Sequence, residues 1–206
     1  MKFNGEFNGA YVVDDLLSIE DATALSDEIN PEGKWKPYWP SSAKKLTNNW
    51  HWHNQLWGDM KNMPEISEET MSKTPALHHL WLTIRPIMTD VFKMPFVPFR
   101  AYSNAHTYGI LDDKHQDDGD ITVIYYPEQL WNHNWEGGTA LYSEDTTDCI
   151  RYCSYKFNRL FMFPARTWHR GMPVTKECSI LRRIVVFKCK MDITDPLYEK
   201  MYYAQQ

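Results

Sequence analysis

The residues in this sequence best suited to chemistry are His115 and Asp117, which are separated by a single glutamine. On an extended backbone, residues two apart point to the same face, so an imidazole and a carboxylate can reach one metal ion together. A set of two histidines and one carboxylate leaves coordination positions open, as oxygen-activating Fe(II) enzymes require. The second histidine must then come from a distant strand.

His169 is the best candidate for that second histidine. It follows the apolar run 160–163 and precedes Gly171 and Pro173. This position is typical of a strand end or a turn, where a side chain can face the mouth of a barrel.

Two alternatives stay open at this point. A His-x-Asp pattern is short enough to recur by chance, so it is also compatible with a purely structural pair. His51 and His53 share a face of an extended backbone as well, and are a second choice of metal ligands. The other histidines are His78 and His79 on a predicted helix, and His106 and His133 in polar loops.

Two helices are predicted ahead of these residues. Apolar residues recur at helical spacing in 14–30, and again in 67–93. Pro75 predicts a break near the start of the second helix, and Pro86 predicts a kink or break in its middle. Residues 34–60 are rich in Trp, Pro and Asn with poor periodicity, which predicts irregular structure or a short strand.

From residue 95 onward the sequence changes to short strand-like runs separated by Gly and Pro. These runs are 97–103, 121–126, 139–142, 159–163 and 182–190. Helices followed by many short strands predict an α+β chain whose C-terminal part is a β-sandwich or barrel.

Composition excludes several classes of function. The chain has 206 residues, 43% hydrophobic and 24% charged, which is typical of a soluble globular protein. A net charge of −5 disfavours a broad nucleic-acid surface. Neither a secretory signal nor a run of roughly 18 apolar residues is present, so we expect no membrane partner. The four cysteines form no CxxC, which predicts reduced thiols and a cytoplasmic location.

Five segments, in this order, resemble the 2-oxoglutarate and Fe(II)-dependent dioxygenases, specifically the prolyl-4-hydroxylase-like branch. They are YSNAHTYGILDDKHQD (102–117), DITVIYY (120–126), WEGGTALY (135–142), RLFMFPARTWHRGMPV (159–174) and RRIVVFK (182–188). The resemblance implies a double-stranded β-helix, or jelly roll, with the N-terminal helices packed on one sheet. It implies His115, Asp117 and His169 as the iron ligands, and catalysis at that iron.

We therefore expect one domain over 1–206. Its N-terminal part, 1–94, is helical and Trp-rich, and the double-stranded β-helix occupies 95–190. The tail 191–206 is expected to be helical. The Trp-rich stretch 35–57 is expected either to cover the barrel mouth as a lid or to pack around the helices.

The resemblance also implies a basic residue on the last core strand that pairs with the far carboxylate of 2-oxoglutarate. Arg182 and Arg183 are adjacent, so only one of them can face the barrel interior. If Lys188 and Lys190 point to solvent, Arg183 faces inward, and it is our prediction, with Arg182 as the alternative. A bulge in this strand would reverse the choice.

Three further residues are predicted to contact the cosubstrate or the substrate. Tyr126 ends a strand similar to one in the hypoxia-sensing prolyl hydroxylases, where a tyrosine meets the same far carboxylate. Its alternative role is that of a core aromatic. Tyr102 and Asn104 share a face of the strand that leads into the metal loop.

The resemblance implies hydroxylation of a C–H bond, with succinate and CO2 as co-products. Fe(II), 2-oxoglutarate and O2 are the expected cofactors, with ascorbate as a supporting reductant. A prolyl, peptidyl or amino-acid substrate is favoured, as a peptide, a protein or a small molecule. The alternatives are a cupin-like metal-binding protein without oxygenase activity and, less favoured by the acidic charge, a nucleic-acid demethylase.

Overall fold

The computed structural model describes residues 1–7, 9–30, 34–40, 50–58 and 65–203. The helices are α1 (Ile19–Glu28), α2 (Glu68–Ser72), α3 (Pro75–Phe92) and α4 (Pro196–Tyr203). The strands are β1 (Lys2–Phe7), β2 (Ala10–Asp14), β3 (Lys36–Pro40), β4 (Trp50–Gly58), β5 (Phe96–His106), β6 (Ile121–Tyr126), β7 (Thr139–Tyr142), β8 (Cys149–Cys153), β9 (Arg159–Pro164), β10 (His169–Gly171) and β11 (Arg182–Met191).

Two antiparallel sheets form the core, which confirms the predicted α+β fold with a double-stranded β-helix. The larger sheet has the order β1-β2-β9-β6-β11-β5-β4-β3, and the smaller has the order β10-β7-β8. The space between the two sheets holds one cluster of buried side chains, which includes Tyr102, Tyr126, Ile184 and Val186. A second cluster lies between the larger sheet and the helices.

The helices pack on the outer face of the larger sheet. In α3 a stripe of buried residues faces it, and the Trp81 ring lies 5.7 Å from that of Phe187 on β11. The predicted break near Pro75 is confirmed, whereas Pro86 lies inside a continuous α3. Helix α1 starts later than residue 14, after Ser18, whose side chain accepts a hydrogen bond from the Asp21 amide. Among the described residues, no helix is long and apolar enough to span a bilayer.

The N-terminal part contains more β-structure than its sequence predicts. Within 34–60, the described residues form β3 and β4, which extend the larger sheet beyond β5. Trp57 is buried in the helix-side cluster, and its indole nitrogen donates to Thr74 at 2.7 Å. This tryptophan therefore packs around the helices. Residues 41–49 of the Trp-rich stretch lie outside the described residues, and its predicted role as a lid stays a prediction.

An ion-pair cluster joins β2 to the chain around β9. Asp14, the last residue of β2, accepts hydrogen bonds from Lys156 Nζ at 2.9 Å and from Arg159 Nε at 2.6 Å. Burial alone would raise the pKa of Asp14, but Arg159 and Lys156 outweigh it and lower the pKa from 3.8 to about 2. The cluster therefore stabilises the fold while Asp14 is ionised.

We expect Asp14→Asn to reduce the free energy of unfolding at neutral pH by about 1 to 2 kcal/mol, allowing for the half-exposed Lys156. Because the folded pKa lies below the unfolded one, the stabilisation is complete above pH 3.8 and disappears as the pH falls through about 2. Urea unfolding of both proteins between pH 2 and pH 6 measures it. A stability difference that stays constant over this range would contradict the assignment.

Candidate metal centre

The loop of residues 107–120, between β5 and β6, presents His115 and Asp117 to β10. His115 and His169 form an isolated antiparallel bridge, with N–O distances of 3.0 and 2.9 Å between their backbones. The Asp117 amide donates to the carbonyl of Ala165 at 2.9 Å. The loop then turns sharply at Gly119, whose φ is +88° and where a Cβ would lie 2.7 Å from the Cys189 carbonyl oxygen. Backbone hydrogen bonds therefore fix the positions of the three predicted ligand residues relative to one another.

The structure brings together the side chains of His115, Asp117 and His169. Nε2 of His115 lies 3.6 Å from Oδ1 of Asp117, and Nε2 of His169 lies 3.2 Å from Oδ2. One ligand atom from each residue lies within 4.8 Å of the others. Two imidazoles and one carboxylate at this spacing can converge on a single divalent ion from one side.

Hydrogen bonds to the backbone orient both imidazoles. Nδ1 of His115 lies 2.8 Å from the carbonyl oxygen of Asp113, and Nδ1 of His169 lies 2.8 Å from that of Thr167. A carbonyl only accepts, so each Nδ1 carries a proton, and each Nε2 faces the Asp117 carboxylate. Such hydrogen bonds fix the tautomer and ring orientation of metal-binding histidines in proteins. The donor set thus fits Fe(II).

The charge state of the site also fits a metal. Burial lowers the pKa of His115 to about 4, so its imidazole is neutral at pH 7. Burial alone would raise the pKa of Asp117, but Lys188 and His169 hold it well below its usual range. Thr122 donates to Oδ2 of Asp117 at 2.7 Å. Neutral imidazole and ionised carboxylate are the forms that bind metals.

The strand parity from which Arg183 was chosen is wrong. Lys188 does not point to solvent: it is 4% exposed, and its ammonium contacts Oδ2 of Asp117. Ile184 and Val186 belong to the cluster between the sheets, so the even-numbered positions of β11 face the barrel interior. Because both faces of β11 are buried, the lysines on this strand do not indicate which of its faces is exposed to solvent.

The two arginines accordingly lie on opposite faces of β11. Arg183 lies on the helix side, where its guanidinium contacts the Glu128 carboxylate and donates to Oγ of Ser26 at 2.9 Å. Arg182 is fully buried on the barrel side. It donates through Nε to the Gly137 carbonyl and through Nη2 to that of Gly138 at 3.1 Å. The interior arginine is therefore Arg182, the alternative that the sequence left open.

The three other predicted contact residues lie on barrel-side positions. Tyr126 is fully buried and donates to Oγ1 of Thr139 at 2.8 Å. The ring of Tyr102 lies 5.8 Å from Nζ of Lys188. Oδ1 of Asn104 lies 2.8 Å from Nδ1 of His53. Their roles towards a cosubstrate or substrate stay predictions.

Two features of this region were missed from the sequence. Lys188 is one of them: its sequence context is that of a surface lysine, and only the orientation of β11 shows that it faces the barrel interior. The other is a second group of two histidines and one aspartate, His51, His106 and Asp112. The sequence signal for His51 was its shared face with His53, but its partners come from other segments.

Comparisons with known proteins agree with this geometry. Residues 97–188 match the profile of the 2OG-Fe(II) oxygenase superfamily. None of the proteins of curated function matches the sequence significantly.

Solved structures match across most of the chain at low identity. A Trichoplax adhaerens prolyl hydroxylase, in complex with a hypoxia-inducible-factor oxygen-degradation-domain peptide fragment, is 14% identical over 97% of this chain and 88% of its own, with a TM-score of 0.62. A Pseudomonas putida prolyl-4-hydroxylase is 13% identical over 88% and 92%, with a TM-score of 0.58. A Burkholderia pseudomallei oxidoreductase of the 2OG-Fe(II) oxygenase family is 10% identical over 88% and 85%, with a TM-score of 0.66.

The position of Lys188 predicts competition between its ammonium and a bound metal. We expect Lys188→Met to bind Zn²⁺ about tenfold more tightly or better, because a positive charge this close opposes a cation by about 1 to 4 kcal/mol. Competition against a chromophoric chelator measures the affinity. Lys190→Met, on the same strand and partly exposed, is the matched control and should bind like wild type. Weaker binding by Lys188→Met would show that the lysine supports the site instead.

Proposed function

We propose that this chain is a 2-oxoglutarate- and Fe(II)-dependent dioxygenase that hydroxylates a C–H bond, in keeping with the match of residues 97–188 to the 2OG-Fe(II) oxygenase superfamily. The observation that carries this proposal is the convergence of His115, Asp117 and His169, with both imidazoles oriented by backbone carbonyls. These three residues would hold Fe(II) and leave positions open for other ligands.

Bound iron and 2-oxoglutarate would supply oxygen activation, with succinate and CO2 as co-products. The chain's own contribution is to hold the ligands and to enclose the site. His115 and His169 direct their Nε2 atoms towards Asp117, and Thr122 holds the Asp117 carboxylate in place. Asp117 occupies a position that halogenating relatives leave without a carboxylate, which favours hydroxylation as the outcome.

Arg182 is the residue we assign to the far carboxylate of 2-oxoglutarate. Its guanidinium lies inside the barrel and is held through Nε and Nη2 by the Gly137 and Gly138 carbonyls. Its Nη1 finds no hydrogen-bond partner within the part of the chain that the structure describes, so this donor is available to a ligand. A fixed, planar guanidinium suits a carboxylate. Tyr126, on the same side of the sheet, is assigned as a second contact.

A prolyl, peptidyl or amino-acid substrate is the class we propose. The supporting observation is the likeness in fold to a prolyl hydroxylase whose structure holds a peptide fragment, at an identity of 14%. The net charge of −5 disfavours a nucleic-acid substrate. A cytoplasmic location is proposed with it, since all four cysteines are free thiols.

The proposal predicts turnover that depends on the metal ligands. With Fe(II) and ascorbate, wild type should convert 2-oxoglutarate to succinate slowly when no substrate is added. The conversion should be faster with an accepted proline-containing peptide or free amino acid. The accepted substrate should gain the mass of one oxygen atom. His115→Ala should lose turnover by at least about 100-fold, because one of three protein ligands is gone. His133→Ala, at an exposed position, is the control.

A wild-type protein that neither binds nor consumes 2-oxoglutarate would eliminate the oxygenase proposal. It would favour the cupin-like alternative, in which the barrel and metal serve binding alone.

The two arginines give a prediction with opposite outcomes. Arg182→Lys should raise the Kd for 2-oxoglutarate roughly 10- to 100-fold, since it loses a charge-assisted hydrogen-bond pair. Arg183→Lys should leave that Kd unchanged but destabilise the fold, because the contact with the buried Glu128 is impaired. Isothermal titration and thermal unfolding separate the two effects. If only Arg183→Lys lost affinity for 2-oxoglutarate, Arg183 and not Arg182 would be the residue that binds its far carboxylate.

A further inference from the structure

A second group of metal-ligand side chains lies apart from the proposed iron site. His51 belongs to β4, His106 ends β5, and Asp112 lies in the loop that leads to His115. Their exposed fractions are 4%, 1% and 7%, so all three are buried. None of them takes part in the proposed oxygenase chemistry.

The geometry of this group resembles that of the first. Nδ1 of His51 lies 3.2 Å from Oδ1 of Asp112, and Nε2 of His106 lies 3.2 Å from Oδ2. The corresponding distances at the proposed iron site are 3.6 and 3.2 Å. Zinc bonds of about 2.0 to 2.1 Å in a tetrahedral site place ligand atoms roughly 3.3 Å apart. The observed spacing fits a metal donor set, and between His51 and Asp112 it also fits a hydrogen bond.

The hydrogen bonding of His106 is incomplete without a ligand. Neither of its ring nitrogens makes a hydrogen bond to any described residue, although Nε2 lies close to the Asp112 carboxylate. The ring is thus near the carboxylate without being aligned to donate to it. A neutral imidazole always carries one donor and one acceptor, and an unmet buried group costs about 1 to 3 kcal/mol. A cation between His106 and Asp112 would take up the lone pair of Nε2.

The backbone leaves room for this group at Gly171 of β10. A Cβ there would lie 2.6 Å from Oδ2 of Asp112 and 3.0 Å from Cε1 of His106. Any other residue at this position would collide with the two ligand side chains. The glycine therefore permits the carboxylate and the imidazole to meet beneath β10.

The ligand group itself carries the charge that a cation needs. Burial alone would raise the pKa of Asp112, but His106 and His51 hold it well below its usual range, so the carboxylate is ionised. Burial lowers the pKa of His106, so its imidazole is neutral. Arg182 also lies near this group: its Nη1 would be 3.4 Å from a Cβ at Gly171, while its Nε and Nη2 donate to the Gly137 and Gly138 carbonyls.

We propose that His51, His106 and Asp112 bind a second divalent metal ion, for which Zn²⁺ is the best match. Two histidine nitrogens and one carboxylate oxygen are ordinary zinc ligands, and a water molecule would complete a tetrahedral site. The site joins β4 to β5 and to the metal loop, so the ion would tie the N-terminal extension of the larger sheet to the barrel. The proposal is independent of the oxygenase activity.

Metal stoichiometry tests this proposal directly. Metal-free protein is loaded with Zn²⁺, desalted and measured by mass spectrometry of the metal, with calorimetry for the affinities. Wild type should retain two equivalents. His106→Gln should retain one, and so should His115→Ala, while the double variant should retain none. His53→Gln, a buried histidine on the same strand as His51, is the matched control and should retain two.

Two additions keep the test decisive if a variant is unstable. Asp112→Asn keeps the side-chain shape and should also reduce the stoichiometry to one, with circular dichroism checking the fold. Co²⁺ loaded into His115→Ala should show the strong visible bands of a tetrahedral site.

One equivalent in wild type, lost in His115→Ala and kept in His106→Gln, would overturn the second site and leave the oxygenase proposal intact. Two equivalents in both His106→Gln and Asp112→Asn would overturn it as well.

Discussion

The antiparallel bridge between the backbones of His115 and His169 is the interaction on which the rest of the site depends. It joins the loop after β5 to β10, and so adds one more segment to the smaller sheet. Two paired residues in an antiparallel bridge carry side chains on the same face of the sheet. Both imidazoles therefore leave the sheet side by side, and their ring centroids lie 4.4 Å apart. Asp117 lies two residues further along the loop, and the hydrogen bond from its amide to the Ala165 carbonyl places its side chain beside the two imidazoles.

The packing of the two sheets against each other places several charged side chains of the larger sheet inside the barrel. Strand β11 runs through the larger sheet with one face towards the helices and the other towards the smaller sheet. On the inner face, Arg182 begins the strand and Lys188 lies further along it, with Ile184 and Val186 between them. Buried charges of this kind need partners. The Gly137 and Gly138 carbonyls serve Arg182, and the Asp117 carboxylate serves Lys188.

Much of the fold and the centre of the site could be predicted from the sequence. The strands at 121–126 and 139–142 agree with the structure to the residue, because their apolar runs are bounded by turn residues. The three proposed ligands were identified because their residue types and strand positions meet the needs of a metal. Strands β3 and β4 were predicted less well, because their Trp, Pro and Asn residues obscure the alternation of apolar and polar positions that identifies a strand.

The orientation of β11 could not be predicted for a different reason. Alternation reveals the inner face of a strand only when the other face is exposed to solvent. Here both faces are buried, so Arg183 and Arg182 are equivalent at the level of pattern, and lysine is a misleading guide. The group of His51, His106 and Asp112 was missed because its members come from separate segments. Only the pairing of β4 with β5 brings the two histidines together.

The most direct test of the central claim is the visible absorption of the anaerobic protein with Fe(II) and 2-oxoglutarate. If His115, Asp117 and His169 hold iron with open positions, adding 2-oxoglutarate to the Fe(II) protein should produce a charge-transfer band. His169→Ala, which removes one ligand, should not produce it. No band in wild type, together with no calorimetric binding of 2-oxoglutarate, would contradict the account. The same band in His169→Ala would place the iron elsewhere.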